Sequence, residues 1–349
     1  MTDIEMTEPS IAVLERLARV ALRSWGKQAR QVHLIKMREN AVFRVVDTQG
    51  SVFALRVHRE GYHDDEALSA ELQWMAALRQ AGIEVPTVVP ARGGRLFVKV
   101  RSADLATSRQ VDLFEWIEGR GLGTSEGGLR SDLADVKSTY RAVGGIAASL
   151  HNHAMSWPLP KGFRRHHWDL EGLVGEQPFW GRFWDLAALD GEERAILVRA
   201  RDRVRVELHA FGNAIDARHH YGLIHADLVP ENLLLSDQGA VRLLDFDDAG
   251  FGWHLFDLAT ALYFVQDGPD FDVAKASLIE GYRLHRELSD DHLERLPLFM
   301  MARGFTYLGW AHTRPATKES LEILPHVVWL ACREAERLLS QSHTRWEGT

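Results

Sequence analysis

This chain has almost no cysteine and no long apolar run. Cys332 is the single cysteine, so no disulfide can form within the chain and we expect a reducing compartment. The longest nearly apolar segment, residues 296–311, is interrupted by Arg303 and is too short for a membrane span. The first residues, MTDIEMTEPS, are polar and acidic, where a secretory signal has a basic start and an apolar stretch. We therefore expect a cytoplasmic protein without a membrane partner.

Basic residues are fewer than acidic residues in this chain. The 41 Lys and Arg residues are outnumbered by 49 Asp and Glu residues, which gives a net charge of -8, and no block of like charge occurs. A nucleic acid is therefore a poor candidate partner, because its phosphates are bound by clustered cations. A single nucleotide is not excluded, since it requires only a local group of donors and a metal ion.

A strand-rich part of the sequence is followed by a helix-rich part. The first part is rich in β-branched and aromatic runs that predict strands, at residues 31–37, 41–50, 51–58, 85–90, 95–100 and 111–117. Helical spacing occurs there only at residues 11–25 and 65–80. From Gly119 onward the spacing predicts helices, interrupted only by a strand pair around residues 233–246. These helices are expected near residues 131–153, 192–216, 253–265, 272–286, 290–312 and 318–340.

This order predicts an α+β fold with two lobes, which the length of 349 residues also favours. The N-terminal lobe is expected over residues 1–113, with a small antiparallel sheet and one main helix. A hinge follows at residues 114–118, and a mostly helical C-terminal lobe covers residues 119–349. A cleft between two such lobes is the default place for a ligand.

Polar side chains are concentrated in one stretch, HADLVPENLLLSDQGAVRLLDFDDAG, at residues 225–250. Asp227 and Asn232 lie five residues apart with Pro230 between them, so they belong to a loop that can direct both side chains to one point. Thirteen residues after Asn232, Asp245 ends the return strand of a predicted hairpin, which brings it back beside this loop. An acid, an amide oxygen and a second carboxylate are what phosphoryl transfer with Mg²⁺ requires.

The pattern His225-x-Asp227-x4-Asn232, followed by Asp245-Phe246-Asp247, resembles the catalytic loop and metal motif of the protein-kinase-like fold. Its particular form resembles the aminoglycoside phosphotransferase superfamily, in the bacterial branch of stress-response kinases and homoserine-kinase-like enzymes. The resemblance covers most of the chain. Other segments resemble the phosphate loop, third strand, helix C and hinge of that superfamily, at residues 38–45, 53–57, 66–78 and 112–120.

For the catalytic loop, the resemblance implies that Asp227 is the catalytic base and that Asn232 and Asp245 are Mg²⁺ ligands. Asp257 matches an acid that supports the loop from below. His225 is expected to order the loop by a hydrogen bond rather than to transfer protons.

For the nucleotide, the resemblance implies that ATP contacts Asn40 in the phosphate loop and Arg56 in the third strand. Glu71 matches the carboxylate of helix C that pairs with the third-strand cation. Backbone groups of Glu115 and Ile117 are implied as contacts to adenine.

Two residues depart from the protein-kinase pattern. Arg56 stands where protein kinases have lysine, and Asp247 stands where the metal motif has glycine. Because both basic side chains bring positive charge to phosphate, we expect Arg56→Lys to be mild or neutral. Asp247 is expected either to help hold the metal ion or to turn outward to solvent. The alternative for Arg56 and Glu71 is an ordinary surface ion pair.

Seven aromatic residues between positions 157 and 184 are the main feature without an assigned role. They include four of the 11 Trp residues and are Trp157, Phe163, Trp168, Phe179, Trp180, Phe183 and Trp184. Such a group can surround a cationic substrate, but it is more often core packing, and we expect these rings to be mostly buried. His151 and His153 suggest a metal site, but cysteine and further histidine at ligand spacing are missing.

We therefore predict an ATP- and Mg²⁺-dependent phosphotransferase that moves the γ-phosphoryl group to a hydroxyl. The leading acceptor is a small molecule such as homoserine, an amino alcohol or an aminoglycoside. The alternatives are a serine/threonine protein kinase of the bacterial stress-response type, or a pseudokinase that binds nucleotide without transferring phosphate, which Arg56 alone favours. The sequence does not specify an oligomeric state.

Overall fold

The computed structural model describes residues 9–340 apart from residues 39, 126, 134, 215, 216 and 316. It divides into two compact units: the first runs to Glu118 and includes Lys161–Arg164, and the second holds Gly119–Pro160 and the chain from Arg165 onward. Residue 39, in the segment assigned to the phosphate loop, lies outside the described residues. Among the described residues, no helix combines the length and the apolar character that crossing a membrane requires.

The first unit is a five-stranded antiparallel sheet with two helices. In chain order its elements are α1 (Ile11–Ala21), β1 (Ala29–Met37), β2 (Asn40–Asp47), β3 (Val52–His58), α2 (Asp65–Gln80), β4 (Phe97–Val100) and β5 (Arg109–Glu115). The strand order is β1-β2-β3-β5-β4, so the first three strands form the predicted meander. The apolar stripe of α1 packs into the core with alternate strand residues such as Phe43, Leu55 and Leu113. Helix α2 has the predicted bounds, with Asp64 capping it by accepting from Ala67 N–H.

Residues 85–90, predicted as a strand, do not form one. Pro86 and Pro90 have no N–H to donate to a ladder, so the segment follows β5 through isolated contacts only. Val89 N–H donates to Leu113 O at 2.8 Å, and Glu115 N–H donates to Thr87 O at 2.9 Å.

The second unit is mostly helical, with several short strands. Its helices are α3 (Val136–Ser156), α4 (Leu170–Val174), α5 (Gly191–Gly212), α6 (His254–Tyr263), α7 (Phe271–Arg283), α8 (Asp290–Leu293), α9 (Leu296–Thr313) and α10 (Lys318–Ser340). Its strands are β6 (Arg120–Gly121), β7 (Gly123–Thr124), β8 (Gly128–Leu129), β9 (His167–Trp168), β10 (Tyr221–Ile224), β11 (Leu233–Leu235), β12 (Val241–Leu243) and β13 (Gly250–Trp253). Helices α3 and α7 approach closely at Gly144, where a Cβ would lie 2.0 Å from Leu278 O.

Two expectations for this unit were wrong. The pair around residues 233–246 is not its only β-structure, since β10, β13 and β9 form a second sheet in which β13 leads directly into α6. The helix expected over residues 290–312 is divided into α8 and α9. Pro297 lies in the first turn of α9, where its missing N–H costs no helical hydrogen bond, so it marks a helix start.

Candidate active site

The segment that resembles a catalytic loop, called the catalytic loop below, connects β10 to β11 in the second unit. A 3-10 turn over Pro230–Asn232 leads into β11, which pairs with β12 in the register Leu233↔Leu243. Leu244 N–H then donates to Asn232 O at 2.8 Å, so the chain returns to the loop one residue before Asp245. The predicted hairpin therefore exists, and it brings Asp245 beside Asn232.

Asp227 is held through both carboxylate oxygens. Arg303 Nη2 donates to Asp227 Oδ1 at 2.6 Å, and Asn232 Nδ2 donates to Asp227 Oδ2 at 2.6 Å. The Asp227 side chain is 19% exposed, so it is fixed within the protein yet reachable. Burial raises the pKa of Asp227 above its ordinary value, and the Arg303 guanidinium opposes this rise.

Two residues of the site have left-handed backbone conformations that side chains other than glycine rarely adopt. The φ angles are 64° at Ala226 and 61° at Asp245. Such conformations persist only where the surroundings hold them, and they are often found at functional sites. At Ala226, Asp257 provides this support, because its carboxylate accepts the backbone N–H groups of His225 at 3.0 Å and Ala226 at 2.6 Å.

His225 orders the loop as expected. Its Nε2 donates to Leu244 O at 2.9 Å, and its Nδ1 accepts the backbone N–H of Asp227 at 3.2 Å. The two bonds select one ring tautomer, because a carbonyl can only accept and an N–H can only donate. His225 therefore connects the loop that carries Asp227 to the strand that precedes Asp245.

His151, considered above for a metal site, is part of the support under this loop. Its Nε2 contacts Asp257 Oδ2 at 3.0 Å, and its Nδ1 contacts the Tyr282 hydroxyl at 2.9 Å. His151 also stacks on His254 with ring centroids 4.2 Å apart. Both histidines are buried, and burial lowers the pKa of each ring. His151 and Tyr282 therefore form a buried hydrogen-bonded support for Asp257, with the His254 ring stacked against His151.

In the first unit, Arg56 and Glu71 form a buried ion pair of 2.6 Å, and their side chains are only 6% and 0% exposed. The alternative of a surface ion pair is therefore wrong. Arg56 also makes a side-on pair with Asp112 of β5, through Nε at 3.1 Å and Nη2 at 2.7 Å. His58 Nε2 contacts the same carboxylate at 3.0 Å. Burial alone would raise the pKa of Asp112, but Arg56 and His58 outweigh it and lower the pKa to about 2.

The remaining residues assigned to the nucleotide lie at the ends of strands. Asn40 begins β2 and is buried, and its Oδ1 accepts Arg59 N–H at 3.3 Å. Glu115 ends β5 with its N–H bonded to Thr87 O, so a contact to adenine at this residue would use its carbonyl oxygen. Ile117 follows β5 and is half-buried.

The aromatic segment is mainly packing, as expected. Trp168, Trp180 and Phe183 are buried, and the other four rings are half-buried. Trp180 contacts the residue that holds Asp227, since the Arg303 guanidinium is 5.1 Å from its ring centroid.

Asp247 is 4% exposed, which corrects the alternative that it turns outward to solvent. Its backbone carbonyl accepts from Arg165.

Sequence reasoning missed Arg303 and Asp112, which hold the two residues given central roles, Asp227 and Arg56. Arg303 is the single charge in the apolar run LPLFMMARGFTYLGWA, and Asp112 is one of two charges in VDLFEWI. The first run was interpreted as an apolar segment interrupted by Arg303, and the second as a strand. A charge at such a position is seldom buried unless it is paired, and the partner comes from a distant part of the chain.

The side-on pair with Asp112 changes the expectation for Arg56→Lys. A single ammonium cannot reproduce the planar fork that bonds two carboxylates at once. A lysine that is not held in place would lose the proposed hydrogen bond to phosphate, and since a hydrogen bond to a charged group contributes about 1.5–3 kcal/mol, we expect Mg-ATP affinity to fall about tenfold or more. Calorimetry measures this, with exposed Arg30→Lys on β1 as the matched control. Unchanged affinity in Arg56→Lys would show that charge alone matters at this position.

The sequence of residues 30–289 matches the phosphotransferase enzyme family. The chain also resembles the solved structure of a microcompartment-associated aminopropanol kinase, with a TM-score of 0.80, 36% identity, and coverage of 95% of this chain and 99% of that one. It is 23% identical to amicoumacin kinase of Bacillus subtilis over 332 residues, 89% of each chain. It is 27% identical to homoserine kinase of Rhizobium meliloti over 272 residues, 76% of this chain and 73% of that protein.

These comparisons confirm the predicted superfamily and its protein-kinase-like α+β fold. The match covers well over half of the chain, including both the first-unit sheet from β1 onward and the catalytic loop. The chain therefore belongs to the phosphotransferase enzyme family.

Proposed function

We propose that this chain is a kinase that uses ATP and Mg²⁺ to phosphorylate the hydroxyl group of a small amino alcohol. One observation carries the proposal: the β11–β12 hairpin brings together Asp227, Asn232 and Asp245. The 2.6 Å bond from Asn232 Nδ2 to Asp227 Oδ2 and the 2.8 Å bond from Leu244 N–H to Asn232 O define this group. Protein kinases and pseudokinases share such motifs, but the amicoumacin, homoserine and aminopropanol kinases that resemble this chain are named for small-molecule substrates.

In this proposal Asp227 is the general base. It accepts the proton of the acceptor hydroxyl while the acceptor oxygen bonds to the γ-phosphorus, and the bond from that phosphorus to the oxygen bridging to the β-phosphate breaks. Its fixed carboxylate orients the hydroxyl for this attack, because each oxygen already accepts a bond from the protein. Partial exposure of the side chain leaves access for the acceptor.

Asn232 and Asp245 are proposed to hold the metal ion. The Asn232 amide nitrogen is used in two bonds to Asp227, so its oxygen is the atom left to serve as a ligand. An amide oxygen and a carboxylate form a hard donor set, which fits Mg²⁺ with water and phosphate oxygens completing the coordination. When bound, Mg²⁺ neutralises the charge that develops on the phosphate oxygens during transfer.

The first unit is proposed to hold the nucleotide. Arg56, set by Glu71 and Asp112, would bind phosphate oxygens, and Asn40 lies at the start of β2 in the segment assigned to the phosphate loop. Adenine would contact the backbone carbonyl of Glu115 and the backbone of Ile117. Residues 114–118 would then act as the hinge, and residues 1–113 and 119–349 as the two lobes.

An amino alcohol is the acceptor that two observations favour. The 36% identity to an aminopropanol kinase extends over nearly the whole of both chains. In addition, acidic side chains dominate the catalytic loop and its surroundings: Asp227, Glu231, Asp245, Asp247 and Asp248. The nearby Arg165 and Arg303 are buried and bonded to protein groups. An ammonium group suits such surroundings better than the carboxylate that homoserine carries.

A panel of acceptors tests this proposal. The protein, with Mg-ATP, would be assayed for ADP and phosphorylated product with 1-amino-2-propanol, ethanolamine, choline, homoserine and an aminoglycoside. We expect kcat/KM for 1-amino-2-propanol to exceed that for homoserine at least about tenfold, which corresponds to about 1.4 kcal/mol of transition-state binding. Preference for homoserine would overturn the acceptor assignment, and failure to bind Mg-ATP in calorimetry would overturn the kinase itself.

A further inference from the structure

Helix α9 contains one charged residue between Leu296 and Ala311, and that residue is Arg303. Its side chain is 0% exposed. A buried cation is costly unless its hydrogen bonds are satisfied, so its partners indicate why it is tolerated. Because it is fully enclosed, Arg303 cannot contact an acceptor or a nucleotide.

The partners of Arg303 are concentrated at the catalytic loop. Nη2 donates to Asp227 Oδ1 at 2.6 Å and to the Tyr307 hydroxyl at 2.8 Å, while Nη1 donates to Ala226 O at 3.1 Å. The guanidinium also lies over the rings of Trp180 and Tyr307, at 5.1 and 4.3 Å from their centroids. The planar fork therefore bonds the Asp227 carboxylate and the carbonyl that precedes it.

We propose that Arg303 is a positioning residue for phosphoryl transfer, which fixes the Asp227 carboxylate and the left-handed Ala226 in the orientation that the reaction needs. The proposal rests on the proposed function, because Arg303 acts through Asp227. Asp257 bonds the N–H of Ala226 and Arg303 bonds its carbonyl oxygen, so the strained residue is held from both sides.

The loop does not contain a cation that could replace this contact. The residues between Asp227 and Asn232 are Leu, Val, Pro and Glu. Lysine at position 303 could bond one of the partners, but it lacks the fork that bonds the carboxylate and the carbonyl together. The geometry therefore assigns the positioning of the base to a helix about 75 residues further along the chain.

A double-mutant cycle tests this role. The variants are Arg303→Met, Arg303→Lys, Asp227→Asn and the double variant Arg303→Met with Asp227→Asn. The control is Arg199→Met, at an exposed position on α5. For each, kcat of ADP formation is measured with Mg-ATP and 1-amino-2-propanol, and again without an acceptor, and Mg-ATP affinity is measured by calorimetry.

We expect Arg303→Met to lower kcat about 10²-fold, which is typical of a misplaced catalytic group, with Mg-ATP affinity within about twofold of the parent. In the Asp227→Asn background the same change should have an effect below about twofold, because residues that act as a unit are not additive. Arg303→Lys should restore part of the rate, and Arg199→Met should match the parent.

A merely structural residue would give a different result. The loss would then be additive in the Asp227→Asn background, or Mg-ATP binding would fall together with kcat, and either outcome overturns the positioning role. If Arg303→Met does not fold, the same cycle with Arg303→Lys decides, and additivity again overturns the proposal. Full activity of Asp227→Asn alone would instead refute the proposed base, which separates the two failures.

Discussion

Asp227→Asn is expected to bind Mg-ATP as the parent protein does and to transfer phosphate about 10² to 10⁴-fold more slowly. This loss corresponds to roughly 3 to 5 kcal/mol of barrier. The amide oxygen of asparagine can still accept from Arg303, so the loop keeps a partner for this buried cation, but an amide cannot accept the proton of the acceptor hydroxyl. Calorimetry with Mg-ATP and a product assay on the same preparation measure the two effects separately.

Two further variants make this result specific. Asp237→Asn, in the exposed turn of the same hairpin, is the matched control and should retain parental activity. Asp245→Asn should lose Mg-ATP affinity as well as transfer, because it removes the charge of a proposed metal ligand. The assigned roles would be wrong if Asp227→Asn transferred phosphate at the parental rate, or if Asp245→Asn bound Mg-ATP as tightly as the parent.

Asp257→Ala is expected to lower the free energy of unfolding by about 3 kcal/mol or more and to reduce kcat strongly. The carboxylate is fully buried and accepts from two backbone N–H groups and from His151. Each buried donor left without an acceptor costs about 1–3 kcal/mol. The left-handed Ala226 would also lose the bond that holds its N–H, so the catalytic loop should shift even in protein that stays folded.

Urea unfolding followed by tryptophan fluorescence measures the stability, and kcat per folded molecule measures the effect on the loop. Asp257→Asn should fall between the parent and Asp257→Ala, because one amide oxygen can replace only part of the carboxylate. Asp272→Ala, exposed in the first turn of α7, is the control and should change stability by no more than about 0.5 kcal/mol. A stable and fully active Asp257→Ala would show that Arg303 and His225 are sufficient to hold the loop.

Local patterns predicted most of the elements, because the information needed for them lies close together in the chain. Helix α2 has its predicted bounds, since Asp64 caps its start and Gly82 follows its end with φ of 82°. The hairpin that carries Asn232 and Asp245 also followed from spacing and turn residues. Two errors occurred where a proline interrupts an apolar run, at residues 85–90 and at Pro297, and a third was the missed sheet of β10, β13 and β9.

The sequence by itself therefore determined the family and the kinase-like fold, and it placed the proposed catalytic loop, whose residues lie within 25 positions of one another. Only the tertiary structure decided what holds these residues. Arg303 reaches Asp227 from 76 positions away, Asp112 reaches Arg56 from 56 positions away, and Asp257 supports Ala226 from 31 positions away. A single charge in an apolar run carries no information about its partner, because the pairing depends on how distant helices and strands pack. The same packing is what makes burial of these charges tolerable, since each is enclosed together with hydrogen-bond partners from a distant part of the chain.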